Sequence, residues 1–376
     1  MATKHWTAVL VVGAVALAGC GREVGGDGGE AAGDDGGDGG TPVAAAGCEP
    51  GETDGDLLLY NWSEYMDPEL LTAFSEEYGV GATEDTYTSN EALLAQIRAG
   101  AAGYDVIIPS DYMVAIMIEQ DLLLPLDHEA LTNLGNVDEE FTEPPYDPDL
   151  AFSVPYQWGT TGLGLNTSVV GDDPEATWAW LFDESMAGDL RVSMLDDPRE
   201  TMGAALYYLG HDPNTTDEAQ LEEAAELIAD AGDWTRTYTS DQYAELLLAG
   251  ETDVAHGFSG NILDNIAEEE EDYVYVIPDE GATVWTDNMA ILADAPHPCT
   301  AHTFIDFILD AENGAQLSNW TYYASPNEAA MEFLDPELAE DPVIFPDDET
   351  WERLYFLENT GETEILYTDL FTRAQG

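Results

Sequence analysis

A chain of 376 residues, 44% hydrophobic with nine Trp and eighteen Tyr, is long enough for two domains with real cores and is not a disordered acidic protein. Its formal charge of -70 comes from 78 acids against eight Lys and Arg; six of those acids fall in residues 21–47, so 72 belong to the body that folds. Such a surface repels nucleic-acid phosphates and anionic lipids and excludes both as partners. Lys4 is the only lysine. Adaptation to high salt, where a carboxylate-rich surface stays hydrated and its self-repulsion is screened, accounts best for the size of the charge. Attraction of a cationic ligand is the second reading and needs only a few acids.

Residues 1–19 have the layout of an export signal: Lys4, an uncharged and largely apolar run over 6–18, and the ending Leu17, Ala18, Gly19, Cys20. That ending resembles a bacterial lipobox, in which Cys20 becomes the lipid-modified first residue and holds the protein on the outer side of the cytoplasmic membrane. The run is too short to span a bilayer comfortably. The Gly- and Asp-rich segment that follows, to about residue 50, reads as a flexible tether. With Cys20 assigned to lipid, Cys48 and Cys299 remain as a candidate disulfide, though spacing says nothing about proximity. His297, Cys299 and His302 could be grouped as metal ligands, but Pro298 and the pattern after it make a loop and helix start the better reading, so no metal and no cofactor are expected.

The body then alternates strands and helices. The apolar run opening 57–62 predicts a strand, and Asp67 with Pro68 predicts the cap and first turn of a helix over 68–78 carrying Leu70, Leu71 and Phe74. A strand is expected over 82–87, a helix from Ser89 to about 99, a strand over 105–108 with residues 109–112 as its exit, and a helix over 113–120. The Gly-rich apolar stretch from Tyr156 to Asn166 suits a strand crossing between lobes. A second alternation follows: a strand over 192–195, an exit loop over 196–200, helices over 201–209, 221–231 and 241–249, and a strand over 254–258 leading through Ser259, Gly260 and Asn261 into a further helix. The acidic run 268–272 is a solvated face. A strand over 273–278, a second crossing over 284–292 and a helix over 303–309 complete the pattern of a parallel or mixed α/β sheet.

In such sheets ligands gather beyond the carboxyl ends of strands. The residues at those exits and crossings are Trp62, Glu64, Tyr65, Ser110, Tyr112, Asp197, Glu200, Phe258, Trp285, Asp287 and Tyr323, with Ser63 beside them. They are rich in carboxylates and aromatics, and the nearest basic residue is Arg199. Burying an ammonium group is unfavourable by several kcal/mol unless it is paired. Aromatic faces add roughly 0.5 to 2 kcal/mol per cation and cover methylenes. Carboxylates spaced along an aromatic slot therefore describe a di- or triamine.

On these residues the chain resembles the bacterial extracytoplasmic polyamine-binding proteins, the spermidine/putrescine-binding components of ABC transporters. The resemblance runs from about residue 57 to the C-terminus and is carried by YNWSEY (60–65), YDVIIPSDY (104–112), DDPRE (196–200), WTD (285–287) and YASPN (323–327) in that order. It implies a two-lobed α/β fold of the type II periplasmic-binding-protein kind with crossing strands at the hinge. One lobe would comprise 51–158 and 288–327, the other 159–287 and 328–376. By the same resemblance, Trp62, Tyr65 and Trp285 box the methylene chain with Tyr323 at the rim, Glu64, Asp197, Glu200 and Asp287 take the amino groups, and Ser110 and Tyr112 add hydrogen bonds. Phe258 stands where the family often has Trp, and Leu357 where a spermidine binder has a polar side chain, which leans the reading toward putrescine although Glu64 matches the spermidine type. The implied protein is a monomeric, non-enzymatic carrier that captures a polyamine in the periplasm or at the cell surface and delivers it to an ABC permease. Two alternatives remain at this point: a binding protein of the same fold for another cationic or polar solute, and a glycoside hydrolase using Asp197 and Glu200 as its carboxyl pair.

Overall fold

The structure is a computed structural model and describes residues 47–100, 103–267 and 272–376. The leader, Cys20, nearly all of the tether and residues 268–271 of the acidic run lie outside the described residues. Among the described residues no helix is long and apolar enough to cross a membrane.

The first half of the chain folds by alternation. β1 (Leu57–Trp62) buries Leu57 and Leu59, and α1 (Pro68–Tyr78) begins where Asp67 accepts from the Glu69 N–H at 2.8 Å. It stops at Gly79, whose φ of 71° lets the chain take the left-handed turn that closes the helix. β2 (Ala82–Tyr87), α2 (Asn90–Arg98) capped by Ser89, β3 (Val106–Ile107) and α3 (Asp111–Glu119) follow. β4 (Ser153–Asn166) is buried almost throughout. After it come β5 (Val192–Met194), α4 (Pro198–Leu209), α5 (Glu218–Ala231), β6 (Thr235–Tyr238), α6 (Tyr243–Leu248), β7 (Val254–Phe258), α7 (Ser259–Ile266) and β8 (Tyr273–Val276). β9 (Ala282–Ile291), α8 (Pro298–Ile308), α9 (Ala311–Thr321), β10 (Leu354–Tyr355) and α10 (Glu364–Ala374) complete the chain.

Five helices begin earlier than the sequence pattern suggests, α5 at Glu218 and α8 at Pro298 among them; in the other three the expected exit segments at 109–112, 196–200 and 259–261 are in part first helical turns, with α3 opening at Asp111, α4 at Pro198 and α7 at Ser259. For α4 the cause is explicit. Asp197 accepts from the N–H groups of Arg199 at 3.0 Å and Glu200 at 3.1 Å, and Pro198 supplies a φ already suited to a helix.

The strands form one curled mixed sheet in the order β2-β1-β3-β9-β4-β7-β5-β6, with β10 on β9 and β8 on β4. β4 and β9 lie antiparallel at its centre, with Ser153 opposite Ala290 and Thr160 opposite Val284. The last residues of β9 also pair with β3, while the far half of β4 pairs with β7 and β8. These two strands therefore run from one body into the other. One core gathers Leu57, Leu59, Phe74, Phe304 and Ile305; the other gathers Leu163, Val192, Leu206, Leu221 and Val254. Trp158 and Val284 sit where the strands cross, packed with Ala330, Leu338 and Ile344. Cys48 and Cys299 are joined by a disulfide with 5.4 Å between their Cα atoms, which fastens the chain ahead of β1 to the first turn of α8. Both ring nitrogens of His302 are engaged, one with Pro298 O at 2.7 Å and the other with the Asp127 N–H at 2.9 Å.

Candidate functional site

Parallel pairing of β1 with β2 and β3 brings three strand ends to one edge, and the loops and helix starts beyond them form one wall of a cleft. The opposite wall comes from the starts of α4 and α7, and β9 passes between the two. All twelve residues selected from the sequence line this cleft: Trp62, Ser63, Glu64, Tyr65, Ser110, Tyr112, Asp197, Glu200, Phe258, Trp285, Asp287 and Tyr323. Leu357 lines it as well, as do Tyr87, Asn90, Asp111, Tyr243 and Asn261, which the sequence reading missed. Asn90, Asp111 and Asn261 all lie in first helical turns, and only Asn90 had a local signal, the capping Ser89 beside it.

The aromatic lining is continuous. The ring of Trp285 is 5.2 Å from Tyr323 and 5.8 Å from Phe258, and Tyr65 stands 5.0 Å from Tyr323, all edge to face. Trp62 meets Phe258 at 6.1 Å across the cleft and leans on Tyr87 at 4.7 Å, with its indole N–H held by Ile108 O at 2.9 Å. Tyr323 is not at the rim as the resemblance implies: it is 5% exposed, and its hydroxyl accepts from the Asn261 N–H at 3.1 Å. The rim position belongs to Glu64. This exposed residue, with φ at 54°, accepts from Asn261 Nδ2 at 3.0 Å across the opening.

Inside, Asp111, Asp197, Glu200 and Asp287 are all at most 6% exposed. Burial pushes Asp287 up to about 8, with the nearby charge of Asp111 adding to the rise and the Ser110 hydroxyl bond opposing it. Burial likewise raises Glu200 to about 7 against the opposing Thr161 and Thr283 hydroxyls, and Asp111 to about 7 against two backbone N–H bonds. Asp197 and Glu91 are both driven upward by burial first and by a neighbouring carboxylate second, Glu200 for Asp197 and Asp197 for Glu91. The buried cation beside them is Arg199, already committed to Glu364 at 2.6 Å, to Glu358 O at 3.1 Å and to the faces of Tyr112 and Tyr367. Glu200 Oε2 and Trp285 Nε1 are buried and have no protein partner. The cleft thus holds more carboxylate than its own cations neutralise, in surroundings that penalise unpaired charge.

A two-lobed α/β body with crossing strands and an acidic, aromatic cleft between its halves defines a solute-binding protein of the type II periplasmic kind. The chain belongs to the bacterial extracellular solute-binding protein family, whose model matches residues 69–346. It is 35% identical over 318 residues to the putrescine/cadaverine-binding protein of Pseudomonas aeruginosa, with 82% of this chain and 90% of the relative covered. It is 32% identical over 319 residues to the spermidine/putrescine-binding periplasmic protein of Escherichia coli K12, at 84% and 90% coverage. Among solved structures, a Listeria monocytogenes protein assigned to a spermidine/putrescine ABC transporter superposes with a TM-score of 0.81 at 35% identity, covering 86% of this chain and 99% of that one.

Proposed function

We propose that this protein captures a polyamine in its interlobe cleft outside the cytoplasmic membrane and hands it to an ABC permease, with no catalytic step. The observation that carries the proposal is the uncompensated charge. Four buried carboxylates share a cleft, and the buried Arg199 guanidinium behind it is already paired, so a ligand bringing two or more ammonium groups supplies what the fold lacks. Trp285, Tyr65, Trp62 and Phe258 offer faces and edges to the methylenes between those groups. Leu357 presents methyls and no hydrogen bond to the cleft, which favours a short diamine such as putrescine over a triamine. The names of the relatives point to the same ligands, and the superposed Listeria monocytogenes structure is assigned to an ABC transporter.

In this reading the lobes comprise 51–158 with 288–327 and 159–287 with 328–376, and they close by bending at the two crossing strands. Export through residues 1–19, lipid attachment at Cys20 and action as a monomer belong to the same proposal.

Calorimetric titration with putrescine, cadaverine, spermidine and spermine is the test, run at low and high salt because exposed charge is screened and buried pairs much less so. Binding should persist at high salt, and Asp287→Asn should weaken it by roughly 3 kcal/mol or more, because one ammonium is left buried without its counter-charge. Absence of heat with all four amines sinks the proposal, and unchanged affinity in Asp287→Asn removes that residue from the site.

A further inference from the structure

Asp287 differs from the other buried acids in its setting. Asp111, Asp197 and Glu200 stand in the cap or first turn of a helix, where the N-terminal end of the helix dipole favours negative charge. Asp287 lies in the middle of β9 with no helix start of its own. What faces it is Asp111 on α3 and the phenols of Tyr65, Tyr87, Tyr146, Tyr156 and Tyr323. Its shortest hydrogen bond comes from Ser110 Oγ, 2.6 Å from Oδ1, at a point where Ser110 and Asp287 are also paired through their backbones, and the Tyr65 phenol is the second group that favours its charge.

The direction of that bond is set from outside the pair. Asn90, 3% exposed at the start of α2, makes two bonds, both to Ser110: its Oδ1 accepts from the Ser110 N–H at 3.2 Å, and its Nδ2 donates to Ser110 Oγ at 3.0 Å. A backbone N–H can only donate, so the first bond fixes which end of the Asn90 amide is oxygen. The amino end must then face Ser110 Oγ and occupy one of its lone pairs. A hydroxyl that already accepts from Nδ2 has its own hydrogen left for the acceptor 2.6 Å away, Asp287 Oδ1. Reversing the Ser110 hydroxyl would set its hydrogen against an N–H.

We propose that Asn90 is a positioning residue for cation capture: through Ser110 it keeps a hydrogen-bond donor aimed at Asp287, and so favours the ionised form of that carboxylate and orients it for a ligand ammonium. The proposal rests on the polyamine reading for its ligand but not for the relay itself. Asn90 touches no ammonium in this scheme; it acts on the ligand only through Ser110 and Asp287.

The experiment measures putrescine affinity by calorimetry from about pH 5.5 to 9.5 in the wild type, Asn90→Ala, Ser110→Ala and the double variant, with thermal melts to establish folding. In the wild type, affinity climbs with pH as Asp287 loses its proton. In Asn90→Ala the climb should move about one pH unit upward, making binding about tenfold weaker on the acidic side and nearly normal at the alkaline end. In the Ser110→Ala background the same substitution should add no further shift. Equal weakening at every pH, an unmoved profile, or additive effects in the double variant would each overturn the relay. A ligand-free readout separates this proposal from the one it rests on: the 13C carboxyl resonance missing from Asp287→Asn should titrate at higher pH in Asn90→Ala than in wild type. If no amine binds and that resonance still moves, the relay stands and the polyamine reading falls; if amines bind and it stays, the relay falls alone.

Discussion

Each buried carboxylate of the cleft has a folded-state proton affinity above its unfolded one, and the sign of the consequence can be worked out. Between an unfolded carboxyl near pH 4 and the raised values of about 7 for Asp111 and about 8 for Asp287, the folded protein binds more protons than the unfolded chain. These groups therefore impose no penalty at low pH, a growing one as pH rises through that window, and a constant one above it. The ligand-free protein should lose stability from about pH 4.5 to about pH 8.5, and a bound diamine should raise the melting temperature more at the alkaline end. Asp287→Asn is the control for its share of the slope. Thermal melts of the empty variant should show a shallower decline, and a slope equal to that of wild type would mean Asp287 contributes nothing. The candidate residues were legible at this scale because strand exits marked by aromatic and acidic side chains are local features. Asn90 and Asp111 were not, because their importance lies in what they hold, Ser110 in one case and the Tyr112 and Thr286 N–H groups in the other.

Among the elements, the strands and amphipathic helices that pack a core were readable, and the misjudged boundaries share a cause. Periodicity starts counting at the first buried apolar residue, whereas a helix starts at its cap, so α3, α4 and α7 begin ahead of their apolar stripes. β6, half exposed along its length at the end of the sheet, and α9, rich in Asn, Gln, Gly and Ser, carried too little pattern to be anticipated. Those early helix starts have a functional result. The first turn of α7 puts Asn261 within 3.0 Å of Glu64, so the loop after β1 and the start of α7 clasp one another over the cleft mouth. A hydrogen bond to a charged group is worth about 1.5 to 3 kcal/mol where solvent is excluded and less at a rim. Asn261→Ala should accordingly speed ligand release by about tenfold at most while leaving association little changed. Glu64→Ala should do the same, and the double variant no more. Stopped-flow kinetics decides between this clasp and a direct amine contact for Glu64, which would appear as a far larger loss in Glu64→Ala than in Asn261→Ala.

For the molecule as a whole, composition argued that the acidity belonged to a folded body, and the fold class followed from alternation and the order of the motifs. Distance along the chain concealed the rest. Cys48 and Cys299 are 251 residues apart in sequence, and they meet where the segment ahead of β1 lies along the first turns of α8. A cross-link closing so long a loop typically stabilises by about 2 to 4 kcal/mol. Replacing both cysteines by serine should lower the unfolding free energy by that amount, read as a lower denaturant midpoint, without altering amine affinity, since Asp54, Thr300 and Thr303 still hold the same segments by hydrogen bonds. A loss of affinity would show instead that the cleft depends on the bridge.

The same bridge decides where mechanical load enters. Tension along the chain from upstream of Cys48 passes directly into the first turn of α8, and the stretch from 49 to 56 stays slack. β1, which ends at Trp62 and lies between β2 and β3, is therefore shielded from being drawn out of its sheet. The body containing α4 and α7 lies outside the line of force. Under the attachment at Cys20 proposed above, such a mooring would tug the protein while the opposite jaw of the cleft opens and shuts without strain.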